Sequence, residues 1–505
     1  MDTAEQHTIP TYDLFVIGGG INGTGIARDA AGRGLSVFLC EKGDLAQGTS
    51  SASSKMIHGG LRYLEYYEFR LVREALIERE VLLGSAPHII WPVEFVMPFM
   101  QGLRPAWLIR LGLFLYDHLA RRKRLSGSYG VDLVASRFGR PLKKYLKKGF
   151  VYSDCWVEDS RLTVLAAVDA AKHGAHIHSY TQFLQAEKEG DRWRIGIRTP
   201  EGQDQVIYAK YIINAGGPSV ARIAKRIIGS AAVKTPRLIR GSHLVVKRFY
   251  EGEHAYLLQH PDRRVIFAIP FEDDYIMIGT TDKPATDEDI EHPKITAEET
   301  DYLLEAANIY FAQSLTREDV AFTYSGIRPL YDDGEEDASK ITRDYSLNLE
   351  GNCLTVYGGK ITTFRRLAEE AVERVIEDMG ITRPRWTAQS VLPGGNIPAS
   401  LTQYTQQVLE QYTFLPEDMA ARLATQYGDL VHDVLGKATS LGDLGQHFGD
   451  HLYAQEVDYL VTHEWARKAD DVLIRRTRLG MHAKPETREK LEAYLRESLK
   501  EAWRG

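Results

Sequence analysis

The chain has 505 residues, 44% hydrophobic and 26% charged, the balance of a folded protein with several domains rather than a disordered one. Lys and Arg number 62 against 69 Asp and Glu, a net charge of −7, which argues against nucleic acid as a main partner. Three widely spaced cysteines, Cys40, Cys155 and Cys353, build neither a disulfide framework nor a zinc site and suit a reducing compartment.

The opening segment MDTAEQHTIP lacks the basic and apolar regions of a signal peptide. Residues 12–17, YDLFVI, read as a buried strand that ends in a glycine run. Gly18, Gly20 and Gly23 follow in GxGxxG order and lead into a helix with small residues at Ala27, Ala30 and Ala31. A second strand, LSVFLC, ends at Glu41. In such a unit the glycines permit a tight turn, backbone approach to a pyrophosphate and close helix packing, while the acid accepts ribose hydroxyls. The strand before and the acid after make a dinucleotide site far stronger than the glycines alone. The motif does not separate FAD from NAD; its place at the start of the chain leans to FAD. The segment Thr49–Ser54, TSSASS, either lines more of that cofactor or is a polar loop.

Next comes His58-Gly-Gly-Leu-Arg62-Tyr63, where glycines bring backbone close while His58, Arg62 and Tyr63 project. Residues 103–125, LRPAWLIRLGLFLYDHLARRKRL, combine a basic run at Arg121–Arg124 with an apolar face through Trp107, Leu108, Leu111, Leu115 and Leu119. The segment is too short and interrupted to span a bilayer, and reads either as an interfacial helix or as a packed helix with a solvated basic end. Further on, IINAGGP gives a strand and a turn at Gly216. His243, Thr280, Arg328, Arg343 and Lys360 then sit at glycine-marked strand ends. Several cations at such positions suit a small anionic substrate, with arginine for bidentate phosphate recognition. A proline- and glycine-bearing connector, TRPRWTAQSVLPGGNIP, precedes a helical region whose last helix is expected over Glu486–Trp503. Within it, HEWARKADDVLIRRTR at 463–478 reads as a solvated helix face or a docking surface.

Taken together, GGGINGTGIARDAAGRGLSV, TSSASSKMIHGGLRYLE, GSHLVV, GTTD, YSGIRPL, ITRDY, GGKITT, VLPGG and HEWARKADD resemble the FAD-dependent respiratory (aerobic) glycerol-3-phosphate dehydrogenases of bacteria, over nearly the whole chain. The resemblance implies an α/β flavoprotein of glutathione-reductase-like type, with a Rossmann-like FAD domain, a mixed-sheet substrate domain and an all-α C-terminal domain. We expect the FAD domain over 10–85, 150–240 and 325–380, the substrate domain over 86–149 and 241–324, and the helical domain over 386–505.

It implies oxidation of sn-glycerol 3-phosphate to dihydroxyacetone phosphate by hydride transfer from C2 to FAD N5, with electrons passed to membrane quinone. An oxidase using O2, or an amino-acid or amine oxidase of the same fold, are the alternatives. His58 or His243 would be the base, with Arg328 stabilising developing charge. Arg62, Tyr63, Thr280, Arg343 and Lys360 would hold substrate. Gly18, Gly20, Asn22, Gly23, Glu41, Thr49, Ser50, Ser51, Ser53, Ser54, Gly216, Gly359, Lys360, Ile361 and Thr362 would hold FAD, and no metal is expected. The expected location is peripheral, on the cytoplasmic side of the plasma membrane and against anionic phospholipid, with homodimer formation left open.

Overall fold

The computed structural model describes residues 11–229, 234–330, 344–398 and 400–502. Among them the strands form an eight-stranded sheet, a ten-stranded sheet and a two-stranded ribbon. In the first sheet Thr11–Ile17 lies parallel between Asp204–Asn214 and Val37–Cys40. Leu14, Phe15 and Val16 are fully buried, as expected of a parallel strand covered on both faces. Helices Ile21–Gly32, Asp159–Lys172 and Phe364–Asp378 supply one cover, through Ile26, Val164 and Val372.

The second sheet is mixed. At one end lies the long antiparallel pair Arg237–Lys247 and Val320–Leu330, with Tyr275–Gly279 on the other side of the first of these. Helix Ala297–Tyr310 packs on one face through Leu303, Ala307 and Tyr310. Helices Phe69–Ser85 and Ala106–His118 pack on the other through Leu76, Leu113 and Tyr116. Strands Lys148–Val157 and Val320–Leu330 both belong to this second sheet. The sheets therefore do not change over at 150 and 325, where the sequence placed the divisions, and we propose drawing the domains by sheet membership instead.

The C-terminal region is built from helices Leu401–Gln411, Glu417–Tyr427, Ala454–Glu464 and Pro485–Ala502. The all-α expectation needs one amendment, the ribbon His447–Gly449 with Leu452–Tyr453. The 463–478 stretch is not a solvated face: Glu464, Asp471 and Arg476 are fully buried in ion pairs. Cys40, Cys155 and Cys353 are buried free thiols. Among the described residues no helix is long and apolar enough to cross a membrane, and no cluster of metal-ligating side chains occurs. Trp503 and Arg343 lie outside the described residues.

His88 sits where the sheets meet the C-terminal helices, fully buried and against Gly394. Burial, and then the Arg161 charge, push its pKa down to about 3. The unfolded chain therefore binds a proton between pH 6.5 and about 3 that the folded chain refuses, so this histidine's penalty is absent above pH 6.5 and grows as pH falls. Against wild type, His88→Leu should lose less stability between pH 7 and pH 5, by about 2 kcal/mol in denaturant melts. Parallel losses would remove His88 from the acid sensitivity.

Candidate active site

The dinucleotide end is shaped by missing side chains. A Cβ at Gly18 (φ +114°) would fall 2.5 Å from the Ala215 carbonyl oxygen, and one at Gly23 would fall 1.9 Å from that of Gly18. A Cβ at Gly20 would meet Ser50 Oγ at 3.1 Å. Helix Ile21–Gly32 thus starts tight against the turn. Glu41 is fixed by two amides, Gly19 N at 2.8 Å and Gly43 N at 2.9 Å. Burial pushes its carboxyl above the usual range, and the two amides pull it back. Asn22 donates to the Gly358 carbonyl at 3.1 Å, while its buried Oδ1 has no partner among the described residues. Gly359 leaves room beside it, since a Cβ there would lie 3.0 Å from Asn22 Nδ2. Gly216 closes the cradle from the Asp204–Asn214 strand, its amide bonded to Asn214 Oδ1 at 3.3 Å. A glycine-lined turn, a positioned acid and an orphaned polar atom fit the FAD implied by the sequence.

The second sheet presents one face to this cradle, and its register explains the side chains there. His243 stands opposite Tyr324 on one neighbouring strand and Gly279 on the other. Side chains on a strand alternate between faces, so Tyr324, Gly326 and Arg328 share a face with Gly241 and His243. Three positions on that face are glycines, and each makes room for something. The His243 ring occupies the space of a Gly279 side chain, the Arg328 guanidinium that of Gly241, and Ala52 that of Gly326. His243 stacks on Tyr324 at 4.6 Å and its Nε2 faces Ser54 Oγ at 2.9 Å. Its Nδ1 has no partner among the described residues. Burial first, then the charges of Arg328 and Lys55, hold this imidazole well below its ordinary pKa, so it is neutral. Arg328 donates to Thr280 Oγ1 at 2.8 Å and pairs with Asp282.

Residues 49–63 tie cradle to sheet. The Thr49 hydroxyl donates to the Ile327 carbonyl at 2.6 Å. Ser50 Oγ accepts from Ile21 N at 2.9 Å, capping the helix start. Ser53 donates to Asp159 at 2.7 Å and Ser51 to the Gly48 carbonyl at 3.4 Å. The TSSASS hydroxyls are thus already engaged with the protein. Met56–Ile57 pairs with Trp156 and Cys155, and His58 N donates to Thr362 Oγ1 at 3.3 Å. Lys360 lies over the Tyr63 ring at 4.1 Å, and Arg62 donates to Tyr66 OH at 3.3 Å. The structure therefore groups His243, Thr280 and Arg328 on the sheet, and Tyr63 with Lys360 beside the Ile361–Thr362 turn.

Sequence reasoning missed Ser54 as a partner of His243 rather than of cofactor alone. It also missed Tyr324, Asp282 and Lys55. Lys55 is buried, 2.7 Å from Asp159. The signal for Tyr324 was present, four residues before Arg328 and two before Gly326.

The chain matches the family profile "FAD dependent oxidoreductase" over residues 13–364 and "C-terminal domain of alpha-glycerophosphate oxidase" over 385–501. A glycerol-3-phosphate dehydrogenase of Pseudomonas aeruginosa is 50% identical over 96% of this chain and 95% of its own length. A D-erythritol 1-phosphate dehydrogenase of Brucella abortus is 48% identical over 94% and 95%. The crystal structure of the glycerol-3-phosphate dehydrogenase from Bacillus halodurans complexed with FAD superposes with TM-score 0.75 at 27% identity, covering 97% of this chain and 95% of that one.

Proposed function

The chain belongs to the FAD-dependent oxidoreductase family, beside bacterial glycerol-3-phosphate dehydrogenases, and we propose that it oxidises sn-glycerol 3-phosphate to dihydroxyacetone phosphate. The observation that carries this reading is a neutral, buried His243 on the same sheet face as Arg328, with Tyr63 and Lys360 on the segments that join that face to the FAD cradle.

Bound FAD supplies the hydride acceptor. The chain's own residues handle the rest. The C2 hydroxyl proton passes to Ser54 Oγ as Ser54 gives its own proton to His243 Nε2, the nitrogen it faces, while the carbonyl forms. Ser54 and the Tyr324 ring hold the imidazole plane. Arg328 stays protonated and cannot be the base; held by Thr280 and Asp282, it stabilises negative charge growing on the C2 oxygen. His58, half-buried on the strip that ends in Arg62 and Tyr63, contacts substrate and is the second choice for the base. Arg62, Lys360 and Arg343 bind the phosphate.

The Brucella relative supports a second reading, a longer polyol phosphate oxidised by the same groups. Anaerobic mixing separates them. With sn-glycerol 3-phosphate the oxidised-flavin band should bleach, with D-erythritol 1-phosphate it should bleach far more slowly, and with glycerol it should persist. Faster bleaching by the erythritol phosphate would exchange the substrates, and no bleaching by either would discard the mechanism.

We also propose that electrons leave to membrane quinone and that the protein lies peripherally on an anionic lipid surface. Helix Ala106–His118 turns Ile109, Leu113 and Tyr116 inward and leaves Trp107 (68%), Leu111 (47%) and Phe114 (52%) exposed. The apolar face therefore runs through Phe114 rather than through the half-buried Leu115 and Leu119. Beside it lie Arg121–Arg124, the pairing of apolar ridge and basic run that binds an anionic bilayer surface. Reversing those four charges should release the protein from vesicles containing anionic lipid while leaving flavin bleaching intact; undiminished binding would assign the anchor elsewhere.

A further inference from the structure

One buried segment has no part in the chemistry above. Residues 471–478 of the C-terminal region form a turn of wide helix, Asp471–Arg476, followed by Thr477 and Arg478. Three arginines leave this turn in two directions, and all three meet buried carboxylates.

Arg475 and Arg476 go to Asp44. Arg476 donates to both Asp44 oxygens, at 2.6 and 2.8 Å, and to the Glu464 carbonyl at 2.6 Å. Arg475 donates to Asp44 at 2.5 Å and to Asp471 at 2.6 Å. Asp44 is fully buried and stands three residues beyond Glu41. The same loop is bonded to the glycine turn, Ala46 N to the Gly19 carbonyl at 3.0 Å. Left unpaired, the Asp44 charge would press on the Glu41 carboxylate, whose pKa it already raises.

Arg478 goes the other way. It pairs with Glu158 at 2.5 Å and with Glu272 at 3.0 Å, and lies 4.0 Å from Asp159. Asp159 in turn holds Lys55 Nζ at 2.7 Å and accepts from Ser53 N at 3.2 Å and Ser53 Oγ at 2.7 Å. The next residue back along this path is Ser54, bonded to His243.

We propose that the 471–478 turn is a positioning clamp for the FAD site, fixing from behind both loops that face the cofactor, Glu41–Asp44 and Ser51–Lys55. The inference rests on the placement of FAD against those loops. Apolar side chains would serve mere domain packing as well or better, because burying charge is costly. A bidentate guanidinium–carboxylate pair instead fixes direction as well as distance. Here it fixes the Asp44 loop from 432 residues away in sequence, and Glu158, next to Asp159, from 320.

The test follows FAD release from diluted holoenzyme by the recovery of flavin fluorescence, with thermal melting in parallel. Arg476→Gln should weaken FAD retention by at least about tenfold, and Arg476→Lys should restore part of it. Arg422→Gln is the control: Arg422 pairs with Glu456 inside the C-terminal helices, at 2.7 Å, and touches neither loop. It should lower the melting temperature with FAD retention unchanged. Should Arg476→Gln not fold, Arg475→Gln removes one of the two arginines on Asp44 and should weaken retention about threefold. Equal loss of FAD in the Arg422 and Arg476 variants would overturn the clamp and leave general loosening. Glu41→Gln tests the placement itself. If it releases FAD while the Arg476 and Arg475 variants hold it, the clamp alone is wrong; if it too holds FAD normally, the cofactor placement fails and the clamp with it.

Discussion

A single strip of chain, residues 49–63, has to satisfy two sheets at once, and the arrangement of the site depends on it. At Thr49 it is bonded to the end of Val320–Leu330, at Ser54 to His243, and at Met56–Ile57 to the strand Lys148–Val157. At His58 it meets Thr362, on the turn that follows the last parallel strand of the first sheet. A shift of this strip would move the helix cap at Ser50, the partner of His243 and the Tyr63–Lys360 contact together. Such coupling is the means by which a cofactor cradle on one sheet and substrate groups on another come to share one geometry.

Glycine does the complementary work. On the substrate face Gly241, Gly279 and Gly326 carry no side chain, and the groups that fill their space are Arg328, His243 and Ala52. The reactive side chains lie flat against the sheet because their neighbours are missing. The ring of His243, walled by Tyr324 and faced by two cations, stays neutral for the same reason: water is excluded and positive charge is close.

Much of this was legible in the sequence, for different reasons in different places. The first strand, the glycine turn and Glu41 were readable because their spacing is local and each position has one physical task. The FAD fold followed from that unit together with the resemblance. The TSSASS hydroxyls were read toward cofactor, yet each of Thr49, Ser50, Ser53 and Ser54 is engaged by a residue distant in sequence. The charges of 463–478 look solvated on their own, because their partners Asp44, Glu158 and Arg161 lie hundreds of residues earlier. Long-range pairing leaves no periodic trace. The helix at Ala106–His118 was recognisable, but which apolar residues face outward depended on how it packs against Leu76 and its neighbours.

The central claim is that Ser54, on the cofactor strip, acts on the reaction through His243. A double-mutant cycle on the rate of anaerobic flavin reduction tests it most directly, using Ser54→Ala, His243→Asn and the pair. The account predicts that Ser54→Ala slows reduction when His243 is present and has almost no effect once it is Asn, a coupling of about 1–3 kcal/mol. Equal slowing by Ser54→Ala in both backgrounds would contradict it, and would separate the strip from the proton transfer.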